Sequence, residues 1–164
     1  SHPHFHSTMV EWAEEFGAEL HLNSADRAWE MRSHPRTVHW SGTHQLARGV
    51  TLHQLGGHFE GSAVLRWDRG VLLTGDTLQV LPGRDPWVGF MRSYPMLIPL
   101  PDERVQEMAR ATLELEFERV YGGWWDRVID RAGKQAIAAS ARRYSAWSSS
   151  SGTASASSIR GTIA

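Results

Sequence analysis

The chain has 164 residues, 41% of them hydrophobic, enough for one domain with a real core. Its 17 basic and 18 acidic residues leave a formal charge of -1 with no clustering of Lys or Arg, which argues against a nucleic-acid partner. A sequence without cysteine rules out disulfides, thiolate metal sites and cysteine nucleophiles together, so any metal must be held by His, Asp or Glu.

The sequence begins at Ser1 without an initiating Met, which reads as a truncated or processed start. In an extended segment, side chains two positions apart share a face, so His2, His4 and His6 would point one way, with Pro3 stiffening the first step. Two imidazoles so placed form a chelating pair; the alternative is a His-rich end that frays or is appended. Thr8-x-x-Glu11 is a capping box, predicting a helix with Val10, Ala13 and Phe16 on one side and Gly17 as its stop. Residues 20–22 read as a short strand, 26–31 as a short helix with Ser24 as its cap, 37–40 as extended, and 50–55 as an alternating strand leading into His58.

Residues 63–67 and 71–74 are short apolar runs, and Asp68-Arg69-Gly70 between them marks a hairpin. The outer ends of an antiparallel pair lie at one end of the sheet, so His58 and Asp76 can converge there. Residues 79–101 contain five prolines and read as a long functional loop. A helix is expected over 102–117 with Val105, Met108, Ala109, Thr112 and Leu113 as its apolar stripe, then a strand over 119–121 ended by Gly122-Gly123. Residues 127–147 read as mostly helical, with Ile129, Ala132, Ala136, Ile137 and Tyr144 on one side. The last stretch, 148–164, is Ser, Gly, Ala and Thr without periodicity and reads as a disordered tail. The eight tryptophans are expected in core and interface packing. No stretch has the length of a membrane span and no apolar secretion segment opens the sequence, so a soluble, cytoplasmic protein without a membrane partner is expected. Strands and helices interleave, which argues for an α/β layered domain.

His2-x-His4, then Gly57-His58-x-x-Gly61-Ser62, then Thr74-Gly75-Asp76-Thr77, in that order, resemble the motifs of the metallo-β-lactamase fold superfamily of metal-dependent hydrolases. The resemblance covers residues 1–147. It implies a partial αβ/βα sandwich, in which this chain is the C-terminal portion, with a mixed sheet flanked by helices and a metal at one edge. It also implies that His2, His4 and His58 bind a first metal and that Asp76 bridges to a second. The family's first motif is His-x-His-x-Asp-His, and here His6 and Ser7 occupy its last two positions. Trp124 stands where the family's last histidine is expected, after Gly122-Gly123. Only Asp76 remains for a second ion, so an intact two-metal site is not expected; His6 is kept as a substitute ligand because imidazole binds zinc well. The family builds its first sheet largely from strands ahead of the His-x-His motif, which this sequence lacks. A missing N-terminal segment or a second copy of the chain is therefore expected to cover an otherwise bare sheet face.

Three imidazoles and one carboxylate suit a single zinc ion, with iron or manganese as alternatives. The function expected is a metal-dependent hydrolase that turns over a small-molecule substrate with one metal-activated water, Asp76 being its catalytic carboxylate and Glu60 and Thr77 its supporting partners. One objection is that four protein ligands at once would close a tetrahedral site against water. The alternative is a degenerate, non-catalytic member that keeps the fold for binding or assembly. His21, His34, His39, His44 and His53 show no chelating spacing and are assigned no role. Without a Gly-x-Ser-x-Gly elbow or a Gly-rich phosphate loop, neither a serine hydrolase nor a nucleotide enzyme is supported.

Overall fold

A helix, α1 (Met9–Phe16), ends at Gly17, and strands β1 (Leu20–Asn23) and β2 (Thr37–Trp40) then pair in parallel. This is seen in a computed structural model that describes residues 2–154. Four strands follow as a consecutive antiparallel meander: β3 (Thr43–Ala47), β4 (Val50–Gln54), β5 (Ala63–Trp67) and β6 (Val71–Gly75). The turn between β5 and β6 is the one expected at Asp68-Arg69-Gly70, with Gly70 at φ 73°, a region open to glycine but strained for other residues.

The stretch expected as one long loop contains four short strands that pair among themselves. They are β7 (Gln79–Val80), β8 (Val88–Gly89), β9 (Met91–Ser93) and β10 (Ile98–Pro99). Helix α2 (Asp102–Leu113) leads to β11 (Arg119–Gly122), which joins the meander parallel to β6. Strand β12 (Val128–Ile129) and helix α3 (Gly133–Ala154) complete the described chain, and the main sheet has the order β12-β11-β6-β5-β4-β3.

The alternation of side chains along each strand gives this mixed sheet two different faces. On one, Val64, Leu72 and Val120 are fully buried and share a core with Val105 and Met108 of α2 and Ile137 of α3. On the other, the register sets Leu52, Leu65 and Leu73 side by side. Strands β1 and β2 lie over part of that face: the rings of Trp40 and His44 stack at 5.8 Å, and Leu20, Leu22 and Trp40 line a cavity with Leu52 and Ala63. Leu73 is left 42% exposed. Among the described residues no helix is long and apolar enough to cross a membrane.

Several sequence expectations need correction. Thr8 makes no capping bond; Glu11 is instead paired with the Arg32 guanidinium, so α1 begins without the expected box. The short helix is a 3-10 turn over Ser24–Trp29, capped by Asn23, whose side chain accepts from the Ala25 amide at 3.0 Å. Strand β3 is an addition to the expected elements, because its alternation is of polar residues. Helix α2 stops at Leu113, four residues early. Residues 128–129 are β-branched and pair with β11 rather than starting a helix, and α3 begins only after Ala132, which sits at φ 58°. That helix then runs through residues 148–154, which composition assigns to a tail. Ser148 and Ser149 donate back to the Ser145 carbonyl, and Ser150 to that of Trp147, so the hydroxyls are bonded within the helix. Residues 155–164 of the expected tail lie outside the described residues. Of the tryptophans only Trp40 is buried, while Trp12, Trp29, Trp67, Trp124, Trp125 and Trp147 are all exposed.

Candidate metal centre

The site is built from three turns at one end of the sheet. The first is the N-terminal segment, which is not extended as expected but closes a 3-10 turn over Pro3–Phe5. Three residues per turn still bring His2 and His4 together, with ring centroids 5.2 Å apart, but they carry His6 away. The second is the loop between β4 and β5. Gly57 there has φ 90°, and an added Cβ would stand 2.7 Å from the Met108 sulfur, so only glycine lets the loop lie on α2. The Gly61 amide donates to Oδ1 of the buried Asp26 at 2.8 Å, tying the same loop to the 3-10 turn. Burial pushes the Asp26 carboxyl up from its ordinary pKa, and the Gly61 bond offsets part of that. The third is the Thr74-Gly75-Asp76-Thr77 turn, held by Thr74 Oγ1 donating to the Leu78 carbonyl at 2.7 Å and Thr77 Oγ1 to that of Ala63 at 3.2 Å.

His2, His4 and His58 each offer a ring nitrogen, and these atoms lie within 4.8 Å of one another. The rings of His2 and His58 are 4.7 Å apart, and Phe59 stacks on His2 at 5.6 Å. His58 Nδ1 lies 2.8 Å from the Arg92 carbonyl, an acceptor only, which assigns the ring proton to Nδ1 and leaves Nε2 with a lone pair. That Nε2 is buried and has no hydrogen-bond partner among the described residues, and the same is true of Asp76 Oδ1. A polar atom so placed is costly unless something fills the position beside it. Burial lowers the pKa of His2 to about 3, with the neighbouring His58 acting in the same direction, so the ring is neutral and able to donate its lone pair. The donor set therefore fits a divalent ion held by imidazoles.

Asp76 is beside this trio but not within it: its Oδ2 is 3.8 Å from His2 Nε2, and it does not belong to the group whose atoms all lie within 4.8 Å. His6 is also outside the trio. It faces the backbone of Trp29 and the carboxylates of Asp26 and Glu30, and burial outweighs these in lowering its pKa. At the positions expected for a second ion, Ser7 is exposed and Trp124 is 62% exposed. A Cβ on Gly123 would lie 3.4 Å from Asp76 Oδ1, so backbone alone borders the carboxylate there. Glu60 is exposed and Thr77 commits its hydroxyl to Ala63, so the support expected from them comes instead from the Arg92 carbonyl and from Tyr94. Tyr94 lies 5.8 Å from His58 ring to ring and donates to the Gly89 carbonyl at 3.0 Å; burial raises its pKa. Sequence spacing also gives no hint that His21 Nδ1 and His44 Nε2 meet at 3.0 Å across two sheets.

No family model matches the chain. An uncharacterized protein of Bacillus subtilis (strain 168), YmaE, is 43% identical over 150 residues, covering 88% of this chain. The chain spans only about half of that relative's length, 54%. Among solved structures, the DIM-1 and TMB-1 metallo-beta-lactamases superpose with TM-scores of 0.62 and 0.64 at 14% identity. Each match covers 88% of this chain and 67% and 66% of theirs, respectively. A metallo-beta-lactamase family protein from Thermus thermophilus gives a TM-score of 0.54 at 19% identity, over 88% of this chain and 59% of its own. The fold is that of the metallo-beta-lactamases, in a portion that covers about two thirds of the first two structures.

Proposed function

With the metallo-beta-lactamase fold as premise, we propose that the chain carries the mononuclear centre of a metal-dependent hydrolase, with His2, His4 and His58 holding one zinc ion. The observation that carries this reading is the trio of imidazole nitrogens within 4.8 Å, together with the buried Nε2 of His58, which has no hydrogen-bond partner among the described residues. Three ligands rather than four also answer the objection of a closed site, since Asp76 stands next to the group rather than in it. Zinc bound there would supply Lewis acidity and lower the pKa of a water toward neutrality.

The roles of the chain's own residues follow. The Arg92 carbonyl fixes the tautomer and orientation of His58. Burial keeps His2 neutral. The Asp76 carboxylate, with Oδ1 free of other bonds among the described residues, orients the attacking water and accepts its proton. Zinc is preferred to iron or manganese because the donors are all imidazole. A second reading, a non-catalytic member of the fold, has support from His6, Ser7 and Trp124 at the positions where a second ion would need ligands. Metal analysis with an ester-hydrolysis assay separates the two. The hydrolase reading expects about one zinc per chain, lost in His58→Ala, and turnover lost in Asp76→Asn with zinc retained. A chain that takes up no zinc, or binds it without turnover, supports the second reading.

A further inference from the structure

The geometry points to a substrate class: a carboxylic ester whose acyl group is apolar and of aromatic or medium-chain size, selected by Trp29, Met31 and Phe59. This rests on the metal-centre reading above. Of the three imidazoles, His2 and His58 are buried and His4 alone is exposed, so an open approach to the trio runs along the side of His4. On that side lies a cavity of about 420 Å³ lined by His4 together with Met9, Trp29, Met31, Arg32 and Phe59. Its size suits a small-molecule site.

The wall is continuous from the imidazole outward. The Phe59 ring stands edge-on to His4 at 5.0 Å and edge-on to Trp29 at 5.5 Å. Beyond them Trp29 is 55% exposed and Met31 87% exposed, apolar surface that an apolar group would take out of water. Arg32 is the one Lys or Arg in the lining, and its guanidinium is held by Glu11. His6 and Ser7 are the other polar residues of the lining beside His4, so a phosphoryl or carboxylate group entering here would meet no unpaired Lys or Arg, whereas an alkyl or aryl group meets sulfur and aromatic faces. The acyl group therefore fills the cavity and its carbonyl reaches His4. Hydrolysis uses one water: its oxygen forms the new bond to the acyl carbon, the bond to the leaving oxygen breaks, and the alcohol departs with one proton. The carboxylic acid then ionises and releases the other proton to solvent.

The test measures binding of the product-like carboxylates acetate and 4-phenylbutyrate by calorimetry, and cleavage of p-nitrophenyl acetate and hexanoate. Each is run on the zinc-loaded 164-residue chain and on Trp29→Ala and Met31→Ala, with zinc content measured in every sample. The expected result is binding of 4-phenylbutyrate and kcat/KM for the hexanoate at least about tenfold above their acetate counterparts, as burial of several methylenes requires. Trp29→Ala should shrink both ratios several-fold with zinc content unchanged. Should Trp29→Ala fail to fold, Met31→Ala, at a position too exposed to matter for folding, decides by the same ratios. Ratios near one, or ratios that survive both substitutions in zinc-loaded protein, overturn the proposal alone. Failure to take up zinc overturns the metal-centre reading, and the ester assignment with it.

Discussion

Val64 and Leu72 point to one face of the main sheet and are fully buried under α2 and α3, while Leu65 and Leu73, their chain neighbours, point to the other, where Leu73 is 42% exposed. The same strands thus carry a finished interior on one side and a partly covered surface on the other. The candidate metal centre stands at the end of this sheet, on turns anchored to the finished side through Gly57 against Met108 and to the sheet backbone through Thr77 on the Ala63 carbonyl. The cohesion of the domain and the equipment of the site are therefore separable. A core substitution should unfold the chain, and a ligand substitution should leave it folded but without metal.

The largest expected effect tests the first half of that contrast. Leu72→Ala should lower stability by about 2–5 kcal/mol in a urea titration, whereas Leu73→Ala should stay within about 0.5 kcal/mol. Equal losses would mean that the second face is as well packed as the first. Next comes metal removal. At zinc concentrations a hundredfold above Kd the chain should gain about 2.7 kcal/mol. Chelator should reverse this, and His58→Ala should abolish it while keeping the metal-free midpoint. A metal-free midpoint that drops steeply in His58→Ala would show that the site and the core are one unit. Asp26→Ala leaves the Gly61 amide without its acceptor and should cost about 1–3 kcal/mol, with weaker zinc binding because the His58 loop loses its tether.

Acid gives the smallest effect. His2 is held at a pKa of about 3 in the fold against 6.5 in an open chain, so the unfolded state binds the extra proton between those values. Stability of the metal-free protein should then fall as pH drops below 6.5, by roughly 1 kcal/mol over the first unit, and be flat above it. His2→Ala should remove that slope, and unfolding titrations at stepped pH would detect it.

Local chemistry decides how much of this is readable from the sequence. The β5–β6 hairpin is legible because Gly70 and two apolar runs are short-range signals, and the meeting of His2, His4 and His58 is legible because motif order carries it. Strands β3 and β12 are not, one being polar in alternation and the other only two residues long, so neither writes a period into the sequence. His6 misleads because an extended segment and a 3-10 turn place alternate side chains differently. The Arg92 carbonyl is out of reach altogether, since a backbone acceptor has no residue identity and this one lies 34 positions from His58. Composition misjudges the serines of α3, whose hydroxyls fold back onto its own carbonyls, and the exposed tryptophans, whose bulk by itself says nothing of which surface they face.

The pairing of β11 with β6 has a consequence for how the chain assembles. Strands β3 to β6 follow one another as hairpins, so they can zip together within microseconds of collapse. The β11–β6 contact instead aligns Arg119 with Val71, closing a loop that contains all of β7 to β10 and α2, and such distant parallel contacts form slowly. His58 and Asp76 flank the early-forming hairpin, while the carbonyl that orients His58 belongs to the late-closing segment. His58 and Asp76 would thus be brought close to each other before the Arg92 carbonyl fixes the His58 ring.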